Sequence, residues 1–350
     1  MKKIILPLLA LAFVFLFQSC KKEQTNDYTV PTTYTFDSVD YSGQTTRLTM
    51  LTELSTEMKK GNTSGVTLSA TLLKDMYANT NAPFATAALN TSGKKLKDKT
   101  FATEQSIIEG YLDTHAWAST SPVAGSNGNA GVVEVGTAKY LFDENGIEYT
   151  QLVEKGLFGS LIHYQIAAVY LGDDKMGTQV ALADRKHHWD EAFGYFGVPT
   201  DFPTNTTDIK FIGKYCNDRN ALLGTNAAIM NAYLKGRAAL NNSDETTVTI
   251  QIAIIRENIE KVLASTAIHY INEALANVSN DAVRNHTLSE SIAFARALKF
   301  SPAKKITDTQ QSQLETYFST NFYTLSTTDL QSAKNLISSV YGFDSIKDQL

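Results

Sequence analysis

The residues best suited to chemistry crowd into one segment, Arg185-Lys186-His187-His188-Trp189-Asp190-Glu191. On a helix, His187 and Glu191 stand one turn apart at i, i+4, and His188 and Glu191 are neighbours at i, i+3. An imidazole beside a carboxylate can hold a metal ion, orient a proton, or satisfy itself as a buried pair. Two ligands fall short of the three or four that zinc requires. A second pair, His286 and Glu290, repeats the spacing 99 residues later and would complete a set if the two segments faced each other. Each pair serves equally well as scaffold, because a buried carboxylate without a partner is costly. Both readings stay open, and no residue is assigned a catalytic role. The sequence contains no HExxH zinc-protease motif, no phosphate-binding glycine loop and no GxSxG elbow. Asp143-Glu144-Asn145-Gly146 reads as an ordinary turn, and Trp189, Phe193 and Phe196 read as core packing.

The pairs belong to a larger internal likeness. Residues 154–164 read EKGLFGSLIHY and residues 260–270 read EKVLASTAIHY, with six of eleven positions identical. Downstream of each, Arg185-x-His187-x-x-x-Glu191 parallels Arg284-x-His286-x-x-x-Glu290 in the same order. His163 and His269 lie 106 residues apart and His187 and His286 lie 99 apart, so the first copy is longer by seven between its two windows. Connections tolerate such insertions. The expectation is a duplicated helical bundle, with pseudo-symmetric units at about 101–205 and 211–305. His163 would then lie over His269, and Glu191 over Glu290. Leu157, Leu161, Tyr164, Ala168 and Leu171 recur at helical spacing as a core stripe. Beside it, Gly156, Ser160, His163 and Ala167 are small apart from the histidine, which puts His163 at a close helix–helix contact. His163 and His269 are therefore secondary site candidates, and the repeat favours His187 over His188 as the partner of Glu191.

Helical patterns able to carry these residues run over about 44–60, 68–79, 101–117, 147–171, 178–197, 218–241, 248–278, 281–299, 308–319 and 327–340. Gly61-Asn62, Asn81-Ala82-Pro83 and Asn241-Asn242-Ser243-Asp244 punctuate them. Residues 121–136, with four glycines and a proline, read as a flexible loop carrying at most a short strand at Val132-Val133. Long period-two strands are absent, so the predicted class is all-α. A hydrophobic content of 43% suits a globular core, and a net charge of −5 argues against a nucleic-acid partner.

Ahead of the helices, Lys2 and Lys3 precede an apolar run from Ile4 to Phe17, too short for a confident membrane span. Ser19 then stands directly before Cys20, the order of a lipoprotein signal whose cleavage leaves a thiol to carry lipid. The expected organisation is a signal peptide over 1–19, a polar tether over 20–36 and a helical domain over 37–350. Removing 19 of the 350 residues leaves 331, enough for one large or two medium cores. No Asp follows Cys20, so the expected anchor is in the outer membrane, facing periplasm or cell surface. Cys216 is the sole other cysteine, which excludes an internal disulfide in the mature chain.

Two stretches carry a family resemblance. His188-Trp189-Asp190-Glu191 with its aromatic run to Gly197 resembles the His-x-x-Glu helix motif of imelysin-like proteins. That segment together with Tyr34-Thr35-Phe36-Asp37-Ser38-Val39-Asp40-Tyr41-Ser42-Gly43 is more similar to uncharacterised lipoproteins known as a domain of unknown function, of the DUF4856 type. The resemblance covers nearly the whole mature chain and implies a duplicated helical bundle related to the imelysins. The imelysin pattern has a glycine two residues before the motif histidine, where this chain has Lys186. What the resemblance implies is an outer-membrane accessory or binding lipoprotein linked to iron or haem uptake, partnered by an uptake receptor or an imelysin-like protein. The alternative is a metal-dependent peptidase of imelysin type, with a metal ion as cofactor. A third reading, a glycan-binding helical lipoprotein, would be distinguished by exposed aromatic platforms.

Overall fold

The chain divides into helices much as its punctuation predicts. In the computed structural model, which describes residues 28–350, these are α1 (Ser42–Lys59), α2 (Ala70–Ala78), α3 (Ala87–Asn90) and α4 (Ala102–Ala118). A hairpin of β1 (Gly131–Val135) and β2 (Ala138–Phe142) follows, then α5 (Tyr149–Leu157), α6 (Asp173–Met176) and α7 (Leu182–Phe196). The remaining helices are α8 (Ile212–Leu223), α9 (Thr225–Asn241), α10 (Glu245–Ala276), α11 (Asp281–Ala297), α12 (Asp308–Tyr317) and α13 (Thr327–Tyr341). Asp244 caps α10 by accepting from the Thr247 amide, and Thr307 with Gln310 forms a reciprocal capping box on α12. Gly224, at φ +65°, splits the single helix expected over 218–241 into α8 and α9. The signal segment, Cys20 and the first part of the expected tether lie outside the described residues.

The long α10 is the central post, with α9 and α11 along it and α5 against α11. Its inward stripe of Ile255, Ile259, Leu263, Ile268 and Ile271 is completely buried. Residues 121–136 are more ordered than the flexible loop expected. Val132 and Val133 pair with Leu141 and Tyr140 across an antiparallel ladder, closed by a two-residue turn at Gly136-Thr137. Gly136 takes φ +58°, the left-handed geometry that tight hairpins need. β2 goes unrecognised in the sequence because it is short, yet it buries Leu141 and Phe142.

Beyond α5 the helix continues as wide π turns, Phe158–His163 and Gln165–Tyr170. Counting at 3.6 residues per turn fails here. Leu157, Leu161 and Leu171 are buried, but so are Ser160, His163 and Ala167, while Tyr164 and Ala168 are partly exposed. Several carbonyls of this stretch accept from outside the helix. Ser160 O takes the Phe101 amide at 2.7 Å, and Ala167 O and Leu171 O take the Arg256 guanidinium at 2.9 and 2.8 Å. Gly159 permits the closest approach, since a Cβ there would lie 2.6 Å from Ala297.

The last part of the segment read as a tether packs on the fold. Tyr34 is buried, stacked on Phe193 with ring centroids 3.7 Å apart, and Tyr28 donates to Asp244 at 3.0 Å. No helix among the described residues is long and apolar enough to cross a membrane.

Candidate functional site

Trp189, Phe193 and Phe196 fix the rotation of α7 by filling the core, the Trp189 indole donating to Tyr233 O at 3.1 Å. That rotation turns His187, His188 and Glu191 toward the start of α1. Glu191 Oε1 accepts from Gln44 Nε2 at 2.8 Å and Oε2 from His188 Nδ1 at 3.0 Å, while His187 Nε2 stands 3.8 Å from Oε2. The repeat favoured His187 as the partner, but the hydrogen bond belongs to His188. His187 is half-exposed at the rim, and the inward-turned His188 imidazole reaches the carboxylate. Burial pushes the Glu191 carboxyl up. Hydrogen bonds from His188 and Gln44, with the nearby His187, outweigh it and hold the group below its ordinary range.

A polar cavity of about 180 Å³ opens beside this carboxylate. Arg47, Lys94, Lys99, Tyr170, His187 and Glu191 are among its walls. The buried Arg47 donates to Lys95 O at 2.9 Å and Gly43 O at 3.2 Å, and Lys99 lies over the Tyr170 ring, its ammonium 5.5 Å from the centroid. Among the described residues none of Arg47, Lys94 and Lys99 is paired with a carboxylate. Burial, then the neighbouring Arg47, lowers the Lys99 ammonium from its ordinary value. Three cations thus face this space with two carboxylates, Asp40 and Glu191, in the same lining, none of them in ion-pair contact with Arg47, Lys94 or Lys99.

The second pair has a different setting. His286 Nδ1 meets Glu148 Oε2 at 2.5 Å, and its Nε2 lies 3.7 Å from Glu290 Oε2. Tyr140 stacks on the imidazole at 4.3 Å. Lys155 Nζ sits 3.6 Å from Glu290 Oε1, pairs with Glu154, and lies over the rings of Phe158 and Tyr215. Ser55 and Lys59 complete the shell of Glu154. This is a buried ionic cluster.

The two pairs share no partner. Glu191 is held by α1 and its own helix, and Glu290 by Lys155 of α5 and by His286. Among the described residues no group of three or more His, Cys, Asp and Glu side chains is placed to hold a metal ion. Both oxygens of Glu191 already accept hydrogen bonds, so the donor set does not fit the metal that the paired spacing suggested. His163 does lie at a helix–helix contact: its Nδ1 donates to Ala297 O at 3.1 Å, and burial pushes it down to about 4. His269 is partly buried and lies 3.3 Å from Glu273 on its own helix.

Sequence reading missed Gln44, Arg47, Lys94 and Lys99, which reach the cavity from other segments. It also missed Arg237 and its pairing with Asp190, a buried ion pair at 2.9 Å. Arg237 carried a signal, being a lone guanidinium among the small and apolar residues of α9. Lys155 carried another, as an identity shared by both repeated windows.

The chain matches no curated protein and no solved structure. A family model covers residues 31–343, almost everything described here, and on that match the chain belongs to the family called Domain of unknown function (DUF4856).

Proposed function

We propose that this protein is a non-catalytic binding lipoprotein of the outer membrane, accessory to an iron- or haem-uptake system, and that the cavity between α1 and α7 receives a small carboxylate-bearing ligand. The observation that carries this reading is the set of three cations, Arg47, Lys94 and Lys99, that face about 180 Å³ of open space outside ion-pair contact and outnumber the two carboxylates there, Asp40 and Glu191. Guanidinium and ammonium groups bind carboxylates through charge-assisted hydrogen bonds. The volume is below the roughly 300–1,000 Å³ of ordinary cofactor pockets, so an arm of an iron chelate suits it better than an enclosed haem. The link to iron rests on the likeness to imelysin-like proteins, and the anchor on Cys20. An imelysin-type peptidase would need a metal-activated water, and Glu191 is already occupied by His188 and Gln44.

The duplication belongs to the same proposal. His187 Nε2 to Glu191 Oε2 is 3.8 Å and His286 Nε2 to Glu290 Oε2 is 3.7 Å, nearly the same geometry in both units. A tyrosine hydroxyl attends each carboxylate, Tyr170 at Glu191 and Tyr270 at Glu290. These tyrosines are 100 residues apart, close to the 99 of the glutamates, whereas the matched windows set Tyr164 against Tyr270. On this proposal the counterpart of Tyr270 is Tyr170 and not Tyr164.

Titration calorimetry with citrate, alone and as its iron(III) complex, tests the ligand. Wild-type protein should bind, and Lys94→Gln/Lys99→Gln should weaken binding by about ten-fold or more with an unchanged melting temperature. Absence of binding to either form sinks the cavity assignment. Chelator-sensitive peptide cleavage lost in a folded Glu191→Gln variant would replace it with the peptidase.

A further inference from the structure

Far from α7, the end of α4 presents an indole to solvent. Trp117 is 53% exposed, an unusual state for so large an apolar ring, whereas Trp189 is wholly buried. Trp117, Pro122, Val123 and Ala130 form the apolar part of a cleft of about 480 Å³. Thr120, Ser121, Asn129 and Glu144 add hydroxyl, amide and carboxylate groups, and Gly128 completes the lining. No Lys or Arg lines it. Glu144 Oε2 is buried with no hydrogen-bond partner, a costly state for a carboxylate that a donor entering the cleft would relieve.

The walls are held in place. Gly128 N donates to Glu144 O at 2.8 Å, Gly125 N to Val132 O at 3.2 Å, and Ser126 N to Asn129 O at 3.0 Å. Asn321 ties the loop to the C-terminal helices through Asn127 Oδ1 at 3.0 Å. Gly131 makes the fit possible, because a Cβ there would stand 2.1 Å from Val123 O. Pre-set walls reduce the ordering cost that binding incurs.

We propose that this cleft binds a neutral saccharide, with a pyranose ring stacked on Trp117 and its hydroxyls donating to Glu144. One flat aromatic surface beside several hydrogen-bonding groups matches a sugar ring, which has an apolar C–H face and a polar edge. The carboxylate and the lack of basic side chains disfavour acidic sugars. A protein partner would call for a wider apolar surface than one indole flanked by a proline, a valine and an alanine.

The test is calorimetry and tryptophan fluorescence with laminarihexaose, maltohexaose, cellohexaose, xylohexaose and chitohexaose, with a galacturonate hexamer as the acidic control. At least one neutral oligosaccharide should bind and shift the emission of the exposed indole, and the galacturonate should not. Trp117→Ala should weaken binding by about thirty-fold, Trp117→Phe less, and Glu144→Gln by about three- to ten-fold. The buried Trp189 reports that each variant remains folded. Binding by none of the neutral sugars, the result expected of a surface built for a protein partner, overturns the proposal. Equal affinity in a folded Trp117→Ala variant does so as well.

Discussion

Lys155→Met is expected to cost about 3–5 kcal/mol at neutral pH, the size typical of breaking a buried ion pair from one side. Lys155 is almost fully buried, between Glu154 and Glu290 and over two aromatic rings. Burial alone would push its ammonium down, but the two carboxylates outweigh that and raise it. For Glu154, burial pushes the carboxyl up, while Lys155 and Lys59, with hydrogen bonds from Lys155 and Ser55, bring it down to about 2. A carboxyl depressed on folding stabilises the protein above its unfolded value near 4.5, and that contribution fades as pH falls toward 2. Glu290 works the other way, since burial lifts it despite Lys155 and His286. Without Lys155, Glu154 keeps only Ser55 and the half-exposed Lys59, and Glu290 keeps only His286 at 3.7 Å as a cationic neighbour, so both acids are under-compensated at pH 7 and protonation relieves them. The deficit of the variant should therefore narrow between pH 7 and pH 4.5. Urea denaturation at the two pH values measures this, and a deficit below about 1 kcal/mol, or one that widens in acid, would contradict it.

Asp190→Ala is expected to have a comparable effect, about 3–5 kcal/mol, and to loosen the N-terminal segment. Asp190 is completely buried and accepts from Tyr34 OH at 2.6 Å and from Arg237 Nε at 2.9 Å. Its loss strands the Arg237 guanidinium, which also holds Asp37 O and lies over Phe36. Tyr34 keeps its stack on Phe193 but loses the acceptor that orients it. Asp190→Asn, which retains an acceptor, should cost less. Limited proteolysis should cut residues 28–40 far faster in Asp190→Ala than in wild type. Equal cutting rates with unchanged denaturation midpoints would show that Asp190 does not anchor this segment.

The helices were legible because caps, glycines and apolar spacing are local signals, and α1, α7 and α11 fall within a few residues of their expected bounds. The π turns were not, and their carbonyls accept from Phe101 and Arg256, which no local pattern reveals. The turn at Asp143-Glu144-Asn145-Gly146 is as expected, with Asp143 accepting the amides of Asn145 and Ile147. At the site, the likeness of the two His–Glu spacings was visible, but their unlike surroundings were not. Those surroundings come from Gln44, Arg47 and Lys99 in one case and Glu148 and Lys155 in the other. Sequence spacing carries no information about which distant segment arrives, and so it left a merged site and two separate pairs both open; the two pairs share no partner.

The π turns also bear on the order in which the chain assembles. An α-helix closes its hydrogen bonds within itself and can form as soon as its residues exist. The stretch after α5 relies on Arg256, 89 residues downstream of Ala167. During synthesis α5 and α7 emerge well before that guanidinium does. The earlier segment must wait, or take an ordinary α register and later shift by the extra residue of each wide turn. Either route ties the final register of α5, and the placing of His163 against Ala297, to the docking of α10. The first half of the chain is in that sense finished by the second.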